Sequence, residues 1–408
     1  MNDNTASEIT PATSQELARF VAENANGKQR SIAVAGGRTA LQFGLSRPPH
    51  TTLLSTTELN DVIDYPVHDM TITLQAGMRV DRLHTLLTQE NQQLPVDIPQ
   101  ANRATIGGAV ATNTSGPRRF GYGTLRDYLI GITAVDASGQ TFSAGGRVVK
   151  NVAGYDLCKL LTGSLGTLAI ITQLTLKLKP QPACQAALWI NIGDLHSIEK
   201  ALSNLLHSDA RPVVIEYLNH LAVGPIAAEA RLSVPIDQPA LVISVEGTAA
   251  EVNWQTERLQ QEFASWGLVD CSILDGVETQ QLILAITEFS IYADAPLTFT
   301  ASIPASRTVQ FLNMCAASEV AAIAHAGNGI VLGILPDSII HFQQAGSLLR
   351  PLRTFAQELQ GSLTVLECDS SWKQHLSVFD NLQCLPLMRV LKQNFDPDNL
   401  LNPGLLFS

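Results

Sequence analysis

The chain has little that would suit it to nucleic acid, a membrane or a structural metal. Charged residues make up only 15% of its 408 positions, and the formal net charge is −11 with a pI near 5.3. A polyanion or an anionic lipid surface needs a basic face, so neither is expected as a partner. No apolar run reaches the length of a bilayer span. Met1 to Thr10 has neither a basic start nor an apolar core, so no signal peptide is expected. Six cysteines (Cys158, Cys184, Cys271, Cys315, Cys368, Cys384) stand singly, with no Cys-x-x-Cys. A structural zinc site or a cysteine-ligated iron–sulfur cluster is therefore not expected. Most of these thiols read as buried small hydrophobes of a reducing cytoplasm.

What is present is core-forming material. Hydrophobic residues reach 45% of the chain, and 408 residues are enough for two or three domains. The chain is organised around Gln100 to Ser115, a stretch of almost no bulk that contains Gly107-Gly108, Ala109, Ala111, Thr112, Asn113 and Thr114 before Gly116. Small side chains let another group approach the main chain. That group is either a large polar-edged ligand or a closely packed sheet, and the stretch alone does not choose.

Upstream, Thr13 and Glu16 form a capping box ahead of Leu17, Phe20 and Val21. Ser31 to Ala35 reads as a buried strand that opens into Gly36-Gly37-Arg38-Thr39. Such an opening suits a phosphate cradle, with a nest of backbone N–H groups and a basic residue. It also suits an ordinary β-turn. Thr71 to Ala76 alternates as a strand, a helix begins near Val80, and the prolines of Leu94 to Pro99 enforce extended chain. Gly121 to Asp127 reads as a loop. Leu129 to Phe142 reads as a hairpin turning at Asp136-Ala-Ser-Gly139. A second loop runs from Gly145 to Asp156, a short helix spans Leu157 to Leu161, and a long strand is expected from Leu168 to Lys179.

The ordered motifs Gly-Gly-Arg-Thr, Ala-Thr-Ile-Gly-Gly-Ala-Val-Ala-Thr-Asn, Gly-Tyr-Gly-Thr-Leu-Arg-Asp, Lys-Asn-Val-Ala-Gly-Tyr-Asp-Leu-Cys-Lys-Leu and Gly-Ser-Leu-Gly-Thr-Leu-Ala-Ile-Ile-Thr carry a resemblance. The chain resembles the flavoproteins of the vanillyl-alcohol oxidase and p-cresol methylhydroxylase (PCMH) type, and within them the FAD-binding subunits of glycolate oxidases. The resemblance is strong over residues 12 to 180 and moderate over Asn394 to Gly404. It implies an α+β protein in which two small subdomains hold non-covalent FAD. The implied cofactor-binding residues are Ala35, Gly36, Gly37, Arg38 and Thr39 at the pyrophosphate. Pro99, Thr105, Ile106, Gly107, Gly108, Thr112, Ser115 and Gly116 would line the rest. Gly166 and Ile170 would close over the adenine or ribitol side. The alternating strand after Leu168 would supply an apolar floor for a flat ring.

The expected organisation is a tail over 1–10, a PCMH-type FAD-binding domain over 11–182, a ferredoxin-like α+β cap over 183–375, and a C-terminal segment over 376–408 that packs back on the FAD domain. Strands are expected at Ala186 to Ile192, Val213 to Tyr217, Ala240 to Glu246 and Pro296 to Ile303, with helices after Leu195 and Ala249. In the resembled family the cap chooses the substrate, and its catalytic members carry His-x-Gly-Asp-Gly-Asn-x-His for a divalent metal. Here His325, Gly327 and Gly329 match, but Asn328 and Leu332 stand at the acidic and second histidine positions. A leucine cannot ligate, so no metal site is expected and His325 reads as a turn histidine. The Glu-His pair of the catalytic members is absent around Glu367. Leu165 and Ala169 replace the Glu and Gly usual in those members. No histidine follows Gly36-Gly37, so covalent flavin through that position is not available.

The expected activity is therefore FAD-dependent oxidation of glycolate to glyoxylate as one subunit of a cytoplasmic hetero-oligomer. Its implied partners are a catalytic flavoprotein and an iron–sulfur subunit, and the membrane would be reached only through them. A self-sufficient FAD oxidoreductase of another 2-hydroxy acid or a polyol is the alternative, with Arg211 or Arg307 clamping a carboxylate. A flavin-free scaffold is a third reading, and the intact glycine motifs oppose it.

Overall fold

The computed structural model describes residues 7–147, 155–268, 270–291, 295–380 and 384–406. The expected loop through residues 148–154 lies outside them. The molecule divides into two units, one of Met1–Ser115, Gly123–Gln181 and Leu382–Ser408, the other of Gly116–Tyr122 and Pro182–Asn381. The stretch Gly116–Tyr122 thus groups with the second unit.

In the first unit, β1 (Glu8–Ile9) precedes α1 (Ser14–Asn26), β2 (Ile32–Ala35), β3 (Thr52–Ser55), β4 (Val62–Asp64) and β5 (Thr71–Gln75). Then come α2 (Val80–Gln89), β6 (Gln92–Gln93) and α3 (Ile106–Thr112). The stretch expected as one loop instead forms two helical turns, α4 (Arg119–Tyr122) in the second unit and α5 (Leu125–Tyr128) in the first. Asp127 and Thr124 cap α5 reciprocally, and this overrides the glycines around it. The hairpin β7 (Leu129–Val135) and β8 (Thr141–Gly145), helix α6 (Leu157–Leu161), β9 (Ile170–Lys177) and β10 (Lys179–Pro180) complete the unit's main run.

Two sheets carry this unit. A parallel one runs β1-β3-β2 and an antiparallel one runs β4-β5-β9-β7-β8. Helix α1 buries Leu17 and Val21, one turn apart, against Ile32, Leu54, Val135 and Ile170. Its start is set by Thr13, whose hydroxyl accepts from the Glu16 amide at 3.1 Å, while Glu16 accepts from Ala12 at 2.9 Å. Thr13→Ala should lower the stability of this unit by about 1 kcal/mol, read as a lower denaturant midpoint at unchanged slope.

The chain end returns to the same unit. Ile32 donates to the Leu400 carbonyl at 2.8 Å, and Asn402 donates to the Ile32 carbonyl at 2.7 Å. Leu401 so bridges β2 on its open edge.

The second unit holds β11 (Cys184–Asn191), α7 (Leu195–Leu205), β12 (Val214–Leu218), α8 (His220–Glu229), β13 (Ala240–Gly247), α9 (Ala249–Ser265) and β14 (Cys271–Leu274). After α10 (Gly276–Glu288) follow β15 (Leu297–Ser302), α11 (Thr308–Ala317), β16 (Ala321–His325), β17 (Ile330–Ile334), α12 (Phe342–Glu358) and β18 (Ser362–Cys368). The last helix, α13 (Leu385–Phe395), belongs to the first unit. Eight strands make one antiparallel sheet in the order β14-β11-β13-β12-β16-β17-β15-β18. Each half is a βαββαβ arrangement, the first with α8 inserted between its second and third strands, and in each the fourth strand lies beside the first and the second lies at the seam. The ferredoxin-like pattern is therefore present twice, joined where β12 pairs with β16. Trp189, Leu218, Val242 and Ile323 fill the sheet face under α8 and α10. No described helix is long and apolar enough to cross a membrane.

Candidate functional site

The two glycine motifs meet inside the first unit. A Cβ on Gly36 would stand 1.9 Å from Thr105 Oγ1, and one on Gly37 would stand 1.7 Å from the Arg103 carbonyl oxygen. The loop after β2 therefore lies directly on the entry to α3. Thr105 caps that helix, its hydroxyl accepting from the Gly108 amide at 3.3 Å. Gly107 faces the other way, and a Cβ there would meet Ala76 at 2.5 Å. Both readings of the small-residue stretch hold at once. Gly107 saves space against the sheet, and with Gly108, Ala111 and Thr112 it also lines a cleft.

The cleft is a slot with about 90 Å³ of space for water-sized groups. That is well below the roughly 300–1,000 Å³ of a whole small-molecule pocket, so it has room for a small group or for one portion of a larger ligand. Its walls are Ala35 to Leu41, Phe43 and Arg47 on one side, and Thr105, Gly107, Gly108, Ala111 and Thr112 on another. Leu165, Gly166, Ala169, Ile171, Asn402 and Leu405 close it. No Asp or Glu is among its lining residues. In a chain of net charge −11 that is a local inversion.

Of the expected residues, Ala35, Gly36, Gly37, Arg38, Thr39, Thr105, Gly107, Gly108, Thr112 and Gly166 lie together on this cleft. Pro99, Ile106, Ser115, Gly116 and Ile170 do not. Ile106 is wholly buried at the start of α3. Gly116 falls in the second unit. Ile170 points into the core with Leu17 and Ile32, and its neighbour Ile171 faces the cleft. Successive strand residues point to opposite faces, and β9 starts two residues later than the alternation suggests. The hydroxyl of Thr112 is engaged by its own helix, donating to the Gly108 carbonyl at 3.0 Å.

The donors of the cleft fit an anion. Among the described residues, no acceptor takes the backbone N–H groups of Gly36, Gly37, Arg38 and Thr39. Consecutive N–H groups without partners are what a bound anion satisfies. Arg38, in the left-handed region at φ 60°, pairs its guanidinium with Glu8. The carboxamide of Asn402 ties two walls together. Its oxygen accepts from the Val34 amide at 3.2 Å, and its nitrogen donates to the Leu165 carbonyl at 2.9 Å. Leu165, itself at φ 56°, is held in that disfavoured conformation by this bond and by its own amide donating to Ala111 at 2.8 Å. Arg47 and Asn402 were not among the expected residues. The signals were thin: an arginine before Pro48-Pro49, and an asparagine before Pro403-Gly404.

In the second unit, His325 ends β16 and is 3% exposed. Its Nδ1 lies 2.5 Å from Oε1 of the fully buried Glu216. It is a core histidine with a cross-strand carboxylate, and the turn starts at its carbonyl, which accepts from Asn328 at 2.9 Å. Leu332 on β17 packs against the core of the sheet and pairs with Ile323. Arg211 and Arg307 are exposed. The cysteines are all free thiols. Burial pushes Cys158 and Cys271 up to about 11, so neither is a ready thiolate.

Residues 6–145 match the family model for an FAD binding domain, and residues 379–406 match the C-terminal domain of FAD linked oxidases. The glycolate oxidase subunit GlcD of Bacillus subtilis is 26% identical over 98% of this chain and 88% of its own. A D-2-hydroxyglutarate dehydrogenase of Xanthomonas citri is 27% identical over 97% of this chain and 88% of its own. A D-lactate dehydrogenase of Archaeoglobus fulgidus is 26% identical over 97% and 90%. Among solved structures, alkyldihydroxyacetonephosphate synthase superposes with a TM-score of 0.66 at 19% identity, covering 97% of this chain and 75% of that one. That likeness bears on fold, and the fold is the α+β, PCMH-type one expected. The cofactor is FAD. Its diphosphate suits the acid-free, N–H-rich slot, and its size suits a slot that holds only part of it.

Proposed function

We propose that this FAD-linked oxidoreductase is the FAD-binding subunit of a glycolate oxidase, oxidising glycolate to glyoxylate with a catalytic flavoprotein and an iron–sulfur subunit. Bound FAD would supply two-electron redox chemistry to the complex, which would convert the 2-hydroxy acid to the 2-oxo acid. The residues of this chain bind and orient the cofactor. Gly36 to Thr39 offer amides to its diphosphate, and Asn402 fixes the cleft walls. Thr105 sets the start of α3.

The observation that carries the subunit reading is Leu332. Where the catalytic members of the resembled family place a second metal-binding histidine, this chain has a partly buried leucine packed against the core of the sheet. Its six thiols are free and scattered, which supports electron exit through a partner. The relatives named for glycolate, D-lactate and D-2-hydroxyglutarate support the 2-hydroxy-acid class.

The test is anaerobic addition of glycolate, D-lactate and D-2-hydroxyglutarate to the purified holoprotein, alone and after co-expression with its partners. The flavin spectrum of the chain alone should not bleach, and that of the complex should bleach with glycolate. Bleaching of the isolated chain would contradict the subunit reading and support a self-sufficient enzyme.

A further inference from the structure

Arg47 is the cation of the cleft that no acidic group among the described residues neutralises. Its Nη1 donates to the Leu41 carbonyl at 2.7 Å, which fixes the guanidinium against the loop that follows Gly36-Gly37. Its Nε is buried and has no hydrogen-bond partner. No described Asp or Glu makes an ion pair with it. Arg38, the other arginine of the lining, is paired with Glu8. A half-buried cation without counter-charge is costly, and proteins retain such groups where a ligand completes them. Burial pushes the Arg47 guanidinium below its ordinary pKa, as expected of a desolvated cation with no anion beside it.

We propose that Arg47 binds a phosphate of the FAD diphosphate through the remaining donors of its guanidinium, with the Gly36 to Thr39 amides on the same anion. The proposal rests on the reading of this cleft as the FAD cradle. One nitrogen is anchored to the protein, and the guanidinium lies on the lining of the cleft, where its charge and remaining donors suit a phosphate. The glycine loop gives shape and neutral donors. Arg47 gives the charge.

The test uses the full chain, stripped of flavin and titrated with FAD and with riboflavin, which lacks phosphate. Arg47→Gln should weaken FAD binding about 10- to 100-fold, the range of a charge-assisted hydrogen bond, and leave riboflavin binding unchanged. It should also flatten the dependence of FAD affinity on salt. Arg47→Lys, which keeps charge but loses the guanidinium, should fall between. The flavin-free Arg47→Gln protein should melt no lower than the parent, because an uncompensated cation has been removed. Unaltered FAD affinity in Arg47→Gln would overturn the proposal. So would equal loss of FAD and riboflavin binding with a lower melting temperature, the sign of a purely structural role. Failure of the parent chain to bind FAD at all would overturn the reading of the cleft itself.

Discussion

Gly37→Ala will strip the protein of flavin while the second unit remains folded. The added methyl would lie 1.7 Å from the Arg103 carbonyl oxygen, and the backbone of Ala104 is 3.0 Å away. Neither is the end of a flexible side chain that can swing aside. The loop must retreat from the entry to α3 by more than 1 Å, a distance at which hydrogen bonds to a bound anion are lost. The cost in stability is that of overpacking, about 1–3 kcal/mol. The cost in function is larger, since the amides of Gly36 to Thr39 move together. We expect FAD affinity at least about tenfold weaker, with each tenfold step worth about 1.4 kcal/mol. A purified variant with full flavin content would refute the account of the loop.

Asp396→Ala will have the largest effect on stability of any single change considered. Asp396 is 1% exposed. One carboxylate oxygen accepts from the Leu400 amide at 2.8 Å, and the other from the Leu401 amide at 2.7 Å and from Lys392 Nζ at 2.5 Å. Lys392 Nζ also donates to the carbonyls of Thr167 and Leu401, at 2.8 and 2.7 Å. Burial lowers the Lys392 pKa, and Asp396 opposes that shift. Removing the carboxylate leaves an ammonium buried without its counter-charge, which costs about 3–5 kcal/mol. The double variant Lys392→Met, Asp396→Leu should recover much of that loss, because the stranded charge goes with its partner. The effect also reaches the cofactor. Asn402 and Leu405, just beyond this clamp, line the cleft, so Asp396→Ala should lose flavin at lower temperature than the parent. Flavin release on heating measures this directly. Equal release temperatures would mean that the chain end does not hold the cradle.

Both predictions involve residues whose partners are far off in sequence, and this marks what could be read beforehand. Elements with a local signature were legible. Thr13 and Glu16 announce α1, the alternation of Thr71 to Ala76 gives β5, and Asp136 to Gly139 turns the β7–β8 hairpin. The glycine residues of the cleft were legible too, because small size is itself a statement about close approach. Helix α8 was not, since it is apolar all round and contains Pro225. Helix α10 has a local signature, the capping box of Asp275 with Glu278. The doubling of the ferredoxin-like half depends on the β12–β16 seam, a pairing across about a hundred residues that no local pattern encodes. His325 looked like a turn residue because glycines follow it. Its burial comes from Glu216, 109 positions away. Arg47 carries no local signal of a role, and only its hydrogen bond to the Leu41 carbonyl fixes it at the cleft.

The central claim is that this chain holds FAD non-covalently in the Gly36-Gly37 cleft. Its most direct measurement is the absorption spectrum of the purified full chain, followed by acid precipitation and identification of the released flavin. The account predicts flavin bands in the native protein and FAD in the supernatant. A colourless protein, or flavin retained in the precipitate, would contradict it.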